Sequence, residues 1–375
     1  MDFRPLKCYG IKEGKYGVGV AVIDGKIYAV YTKNRIKAAP VIFNQNNLGE
    51  RVKGIIVNSG NANAFTGEEG MKLAERMAAF LAEKLGCDTG EVAIASTGVI
   101  GVLPDMEKIE QLAEEVLKRL ESSEAGVEAF AKAIMTTDKF PKISFREVGG
   151  VRVLGIAKGA GMIAPNMATM LAFIFTNAKT PEMDAVFRKC VDETFNRITV
   201  DGDTSTNDTV FLVTTEEAEI PRERFESLLR DVMLELAEMI VMDGEGATKL
   251  FHVHVYGAKS DEDADRVARA VANSLLVKTA IYGEDPNFGR IIAAAGYSGA
   301  EVDEVITLKL RSSYGEAVIV DRGRVAEGNI GHAERVMKAK KLEIVLDLHK
   351  GDGYGFAIGC DLTHDYVELN SAYTT

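Results

Sequence analysis

A layered sandwich mixing α and β structure, α/β or α+β, is the fold this sequence predicts. Strand-like runs alternate with single amphipathic helices, as layered folds require. Consecutive strands and a hairpin interrupt that alternation, which argues against a pure doubly wound parallel sheet. The chain has 375 residues, 46% of them hydrophobic and 27% charged, enough for a large core in two or three lobes.

The elements follow in order. "GIIVNSG" reads as a strand running into a loop. A helix is expected from Thr66 to Leu85, with Thr66 and Glu69 in capping-box spacing and Gly86 as its C-terminal cap. Its apolar stripe is Leu73, Met77, Phe80, Leu81 and Leu85. "EVAIAST" is a strand followed by Gly98, and helices are expected over 104–120 and 124–135. "ISFREVGGVRVLGIA" reads as a hairpin turning at Gly149 and Gly150. Further on come a strand "MLAFIFT", a helix from Pro181 to about Asn196, a strand "DTVFLVT" and a long helix from about Arg222 to Val241. "KLFHVHVYG" is a strand, Asp261 to Lys278 is mostly helical, and the last hundred residues hold the strands "EVITLKL", "EAVIV" and "LEIVLDL".

Charge and cysteine usage exclude several classes. A net charge of −12 argues against nucleic acid or an anionic membrane as the main partner, while leaving room for a local basic pocket that takes a small anion. The four cysteines, Cys8, Cys87, Cys190 and Cys360, form no CxxC pair. That fits a reduced cytoplasmic protein with neither a disulfide framework nor a zinc site. The start, "MDFRPLKCYGIKEGK", has no apolar h-region, and no apolar run approaches membrane-spanning length.

Familiar cofactor motifs fail on their details, so neither a cofactor nor a metal is expected. "YGVGVAV" lacks the third glycine of a dinucleotide site. "DGDTSTND" starts like a calcium loop but carries Thr206 in place of the glycine and Leu212 in place of the bidentate Glu. It reads as a turn rich in side-chain-to-backbone bonds. His252 and His254 share one strand face and could form half a metal site; without a third ligand nearby, two satisfied histidines are the better reading.

The chemistry points to "KGAGMIAPNMATMLA" at residues 158–172, where Thr169 is a lone hydroxyl in an apolar run. A threonine is a weak nucleophile until a base takes its proton, and no His lies within fifty residues. Cutting the Ala168–Thr169 bond would solve this. The freed α-amine, of ordinary pKa about 7.7–8.0, is then a general base tied to the nucleophile it serves. Gly159, Gly161, Pro165 and the small Ala168 suit such a cut. Lys158 could neutralise a substrate carboxylate or favour the unprotonated amine. A Gly-rich turn leading into a buried strand would look the same.

"KGAGMIAPNMATMLAF" resembles the autocleavage and nucleophile motif of the ornithine acetyltransferase family, also called glutamate N-acetyltransferases. So do "NRIKAAPV", "VNSGNANAFTGEEG", "ASTGVIG", "IMTTD", "VDGDTSTNDTV", "DGEGATK", "DPNFGRIIAAAGYSG" and "YVELNSAYTT", in the family's order. The departures are a short start and Phe288 where the family pattern has Trp.

The resemblance implies a four-layer αββα sandwich built from two fragments, residues 1–168 and 169–375. Thr169 would be the nucleophile, and Thr97 and Gly98 would form the oxyanion hole, a role that suits a hydroxyl beside a backbone N–H with no side chain in the way. Thr136, Lys158, Thr169, Glu245, Asn370 and Thr375 would contact the substrate. Glu245 could pair with the ornithine ammonium and Lys158 with a carboxylate. Acetylornithine would acetylate Thr169 and glutamate would collect the acetyl group, with acetyl-CoA as an open second donor. The family also implies a heterotetramer of two copies of each fragment, in the cytoplasm. Two rivals keep the same pocket. An N-terminal-nucleophile amidohydrolase or aminopeptidase would use water as acceptor, and an uncleaved amino-acid-binding protein would stay one chain.

Overall fold

The computed structural model describes residues 3–164 and 170–372 of the chain. These form two compact units: one of residues 3–196 and 203–240, the other of 197–202 and 241–372.

The first unit contains strands β1 (Lys7–Glu13), β2 (Tyr16–Tyr31), β3 (Arg51–Asn61), β4 (Val92–Val99), β5 (Lys142–Val148), β6 (Val151–Lys158) and β7 (Leu171–Lys179). A later strand, β9 (Thr209–Glu219), joins them, after the short β8 (Ile198–Thr199) that belongs to the second unit. Its helices are α1 (Ala39–Asn47), α2 (Gly67–Leu85), α3 (Met106–Leu117), α4 (Glu124–Ala133), α5 (Met183–Glu193) and most of α6 (Arg222–Met242). The strands run β4-β3-β2-β9-β7-β6-β5, with β1 also paired to β2. Pairs β3–β4 and β7–β9 are parallel and the rest antiparallel.

This sheet cannot be flat. Thr97 of β4 and Lys158 of β6 are five strand spacings apart along the order, about 24 Å in a flat sheet. Yet their side chains meet at 3.1 Å. The fold-over is made by β2. Tyr16–Val22 pairs with β1 and β3, the register with β3 shifts between Val22 and Gly25, and Lys26–Tyr31 pairs with β9. Such a bulge bends the strand and increases its twist. The two halves of the sheet therefore face each other. Ile55, Val57, Ala93 and Ala95 from one half share a core with Leu154, Ile156, Phe173, Phe175, Phe211 and Val213 from the other. The α4 residues Val127, Phe130, Ala131 and Ile134 join that core.

Helices cover the outer faces. Met77, Ala78 and Leu81 of α2, with Ile109, Leu112 and Val116 of α3, pack on Val18, Val20, Ile56, Val92 and Ile94. On the other side Val232 and Leu236 of α6 lie against Gly155 of β6. The layers are helix, sheet, sheet, helix. This is the αββα sandwich, and β7 and β9, which follow position 169, pair into the same sheet as β1–β6.

The second unit holds β10 (Leu250–Ala258), β11 (Thr307–Ser312), β12 (Gly315–Asp321), β13 (Arg324–Val325), β14 (Lys341–Asp347) and β15 (Gly353–Cys360). With β8 they form one sheet ordered β13-β12-β11-β14-β10-β15-β8. Its helices are α7 (Asp261–Asn273), α8 (Leu275–Tyr282), α9 (Phe288–Gly296), α10 (Ile330–Val336) and α11 (His364–Ala372). Val267, Val271, Ile281 and Ile291 from the helices share a core with Phe251, Val253, Leu308, Ile344 and Ala357 from the strands.

Local expectations fare unevenly. The hairpin turns at Gly149 and Gly150, at φ 60° and 82°, as a two-residue loop requires. Gly86 caps α2 at φ 64°. The capping box does not form. Thr66 accepts no cap bond from the helix backbone, and its hydroxyl donates to Asn63 Oδ1 at 2.8 Å. Residues 261–278 are mostly helical as expected, in two helices, α7 and α8, divided at Ser274, whose side chain caps α8.

Candidate functional site

β6 ends on Lys158, a buried cation. Its Nζ donates to Thr97 Oγ1 at 3.1 Å and to Thr136 Oγ1 at 2.9 Å. Three expected site residues thus meet where the ends of β4 and β6 and the residues after α4 converge. Each hydroxyl accepts from the ammonium, which polarises its own O–H for donation elsewhere.

Gly98 follows Thr97 at φ 134°, a conformation that strains any residue with a side chain. An added Cβ would lie 2.3 Å from the Gly60 carbonyl carbon and 2.5 Å from Asn61 N. Glycine is required there. Polar side chains from "VNSGNAN" and "STND" hold the segment. Asn58 Nδ2 donates to Asn61 O at 2.9 Å, Asn61 Nδ2 to Val102 O at 2.8 Å, and Asn207 Nδ2 to Ser96 O at 2.8 Å. The "DGDTSTND" segment is thus the bond-rich turn expected of it. Thr204 Oγ1 also donates to Ala164 O at 2.9 Å.

Two carboxyl groups near Lys158 carried no role in the sequence reading. Asp138 has a fully buried side chain. Its Oδ1 accepts from Lys142 Nζ and from the Gly159 N–H, both at 2.7 Å, and its Oδ2 accepts from the Thr136 N–H at 2.9 Å. Burial alone would push this carboxyl up. The charges of Lys158 and Lys142 and the bonds from Lys142 and Gly159 outweigh it and hold Asp138 well below the usual range, as a carboxylate. The signal was an Asp and a Lys four residues apart around Pro141, which reads as an ordinary surface pair until the fold buries it.

Asp208 is buried at 1% exposure. Burial pushes its carboxyl well above the ordinary value, against the weaker pull of the Ser205 and Thr32 hydroxyls, the Met170 N–H and the Lys158 charge. The next N–H in the chain, that of Thr209, donates to Met170 O at 3.0 Å. Asp208 Oδ2 has no hydrogen-bond partner among the described residues.

In the second unit Asn370 Nδ2 donates to Glu245 Oε2 at 2.9 Å. Gly246, at φ 70°, makes this possible: an added Cβ would lie 2.4 Å from Tyr366 N. Glu245 and Asn370, 125 residues apart, are brought together. Ala168, Thr169 and Thr375 lie outside the described residues.

Among the described residues no three His, Cys, Asp or Glu side chains gather as a metal site. His252 and His254 stack with centroids 5.7 Å apart, and His254 Nδ1 pairs with the Tyr354 hydroxyl at 3.0 Å. Burial and the neighbouring His252 push the His254 imidazole down, towards the neutral form. No described helix is long and apolar enough to cross a membrane.

A family model described as the ArgJ family matches residues 6–375. The chain is 55% identical over 378 residues to the arginine biosynthesis bifunctional protein ArgJ of Archaeoglobus fulgidus, covering 100% of this chain and 99% of that one. It is 50% identical over 380 residues to the glutamate N-acetyltransferase of Methanothermobacter thermautotrophicus, covering 98% and 94%. The crystal structure of the ArgJ protein of Bacillus halodurans is similar at a TM-score of 0.51 and 41% identity, spanning 55% of this chain and 100% of that one.

Proposed function

The chain belongs to the ArgJ family, and from that premise we propose an acetyltransferase of arginine biosynthesis that moves the acetyl group of acetylornithine to glutamate through Thr169. The observation that carries the proposal is the hydrogen-bonded set Lys158, Thr97 and Thr136, with Gly98 beside it. It is built at the end of the strand that runs directly into "GAGMIAPNMAT".

The chemistry begins with self-processing. Thr169 Oγ attacks the Ala168 carbonyl carbon, its proton passes to the departing nitrogen, and water opens the resulting ester. The new α-amine serves as base for the second reaction. Thr169 Oγ then attacks the acetyl carbonyl of acetylornithine. The Gly98 N–H and the Thr97 hydroxyl, polarised by Lys158, stabilise the alkoxide, and ornithine leaves with the proton the amine had taken. Glutamate reverses the sequence and departs as N-acetylglutamate. Thr136, Lys158, Glu245, Asn370 and Thr375 are the proposed substrate contacts, with the Glu245 carboxylate taking the ornithine ammonium. The 207 residues from 169 to 375 are 55% of the 375, the share that the whole Bacillus halodurans chain spans, which supports two fragments. The assembly is a heterotetramer of two copies of each fragment in the cytoplasm, and acetyl-CoA is a second donor to test.

Kinetics test the acetyl carrier. One nucleophile serving two substrates in turn requires ping-pong behaviour, so double-reciprocal plots with acetylornithine and glutamate should be parallel. Intersecting lines would mean direct transfer in a ternary complex and would remove Thr169 from the acetyl path.

A further inference from the structure

The segment between β2 and α1 is the place where this acidic protein concentrates positive charge. Lys33, Arg35 and Lys37, together with Arg188 of α5, line an open cleft of about 900 Å³ with no acidic residue in its lining. Elsewhere on the same unit several cations sit against carboxylates: Arg51 on Asp24, Arg76 on Glu110, Lys84 on Glu114, Lys108 on Glu13. In the cleft only Arg188 has such a partner, Asp184 at 2.8 Å. Lys37 donates to the neutral Gln45 Oε1 at 3.1 Å. Lys33 and Arg35 have no ion-pair partner among the described residues.

The cations are also held in place. Thr32 N–H donates to Asp208 O at 2.9 Å and Thr32 Oγ1 to Ser205 O at 2.8 Å. Asn34 Nδ2 donates to Thr204 O and Ala38 N–H to Thr206 O, both at 2.9 Å. Four bonds to residues 204–208 stop the segment relaxing its own like-charge repulsion. Lys33 and Arg35, carried without carboxylate partners on this anchored backbone in a protein of net charge −12, offer a site to an anion from outside. One carboxylate would satisfy one of them. Several cations around a cleft of this volume suit phosphate groups, which arginine binds as a fork and lysine as a point charge.

We propose that Lys33, Arg35, Lys37 and Arg188 form a binding cleft for a phosphate-bearing ligand. That chemistry has two sources: the nucleotide end of an acyl carrier, or a free phosphate acting as an effector. Thr32 lines the cleft and its hydroxyl also faces the Asp208 carboxyl beside Met170, so a carrier anchored by its phosphates would extend towards the acetyl site. The carrier source rests on the function proposed above; the phosphate chemistry does not.

Calorimetric titration of the purified protein with coenzyme A and with sodium phosphate, at low and high salt, tests the cleft. The wild type should bind coenzyme A or phosphate at low salt and lose affinity at high salt, because exposed charges are screened. The double variant Lys33→Glu with Arg35→Glu changes two exposed side chains. It should keep the wild-type melting temperature and its acetylornithine–glutamate exchange within about twofold, while losing about tenfold or more in affinity, the scale of lost charge-assisted contacts. Acetylation of the wild type by acetyl-CoA that the variant loses assigns the carrier source. Phosphate binding as tight as that of coenzyme A, without acetylation, assigns the effector source. Absence of binding by either probe at low salt, or binding unchanged in the variant, overturns the cleft. A wild type that binds coenzyme A but does not exchange acetyl groups contradicts the proposed reaction and leaves the cleft standing.

Discussion

Asp138 and Asp208 are the same residue type, both buried, both close enough to Lys158 to feel its charge, and their carboxyl pKa values are pushed in opposite directions. Asp138 lies where α4 gives way to β5, with a second lysine and two backbone N–H groups on its oxygens. Asp208 immediately precedes β9 with hydroxyls and one N–H around it and leaves Oδ2 without a partner among the described residues. Burial penalises both carboxylates alike, so the partners decide the state. One side of Lys158 is thus ionic and fixed in position. On the other, burial works against the charged form of the Asp208 carboxyl.

The comparison breaks most visibly at Asp138. Asp138→Asn removes the carboxylate paired with the Lys142 ammonium, whose side chain is 0% exposed. Stability should fall by roughly 3–5 kcal/mol, the usual result of breaking a buried pair from one side, as read by urea unfolding. Adding Lys142→Met removes the buried ammonium as well and should recover most of that loss. A single variant as stable as wild type would mean that the pair is not buried as described.

Thr97 sharpens the ionic side. Thr97→Ala deletes the hydroxyl that Lys158 polarises, and the loss of one oxyanion donor lowers turnover by roughly 10²–10³. The Michaelis constant should change far less. Turnover within twofold of wild type would remove Thr97 from the oxyanion hole.

Asp208→Asn should have the smallest effect at low pH, since an amide replaces a neutral acid of nearly the same shape. The sign of its pH dependence is the informative part. A carboxyl whose folded-state pKa is raised favours the folded state fully below its unfolded value, and that contribution is lost as pH rises through the folded value. Asp138, with a lowered pKa, does the opposite: its contribution is present above the ordinary aspartate value and lost as pH falls through the folded one. The stability of Asp208→Asn relative to wild type should therefore improve as pH rises from acid towards neutral. A difference flat with pH would mean that Asp208 is an ordinary carboxylate.

Much of this site is legible in the chain because short runs carry the family resemblance that names its residues. "KGAG", "STG" and "MTTD" each name a residue of the Lys158 set, and the structure brings Lys158, Thr97 and Thr136 into one hydrogen-bonded group. The hairpin at Gly149–Gly150 and the Gly86 cap are legible for the same reason: one residue type answers one local backbone demand. Asp138 and Asp208 are not, because their roles come from burial and from partners on other elements. The folding-over of the sheet escapes as well. "YGVGVAVIDGKIYAVY" reads as unbroken strand, and only its pairing shows the shift at Val22–Gly25 that sets β4 against β6. Thr66 misleads because its hydroxyl donates to the Asn63 side chain and accepts no cap bond.

The central claim is that Thr169 becomes an N-terminal nucleophile that carries the acetyl group, and intact mass under denaturing conditions tests it most directly. The purified protein should appear as two species, divided between residues 168 and 169. Acetylornithine alone should add about 42 Da, one acetyl group held covalently, to the 169–375 species, and glutamate should remove it. Thr169→Ala should remain one chain. A single wild-type species near 40.6 kDa that takes up no acetyl group would contradict the account.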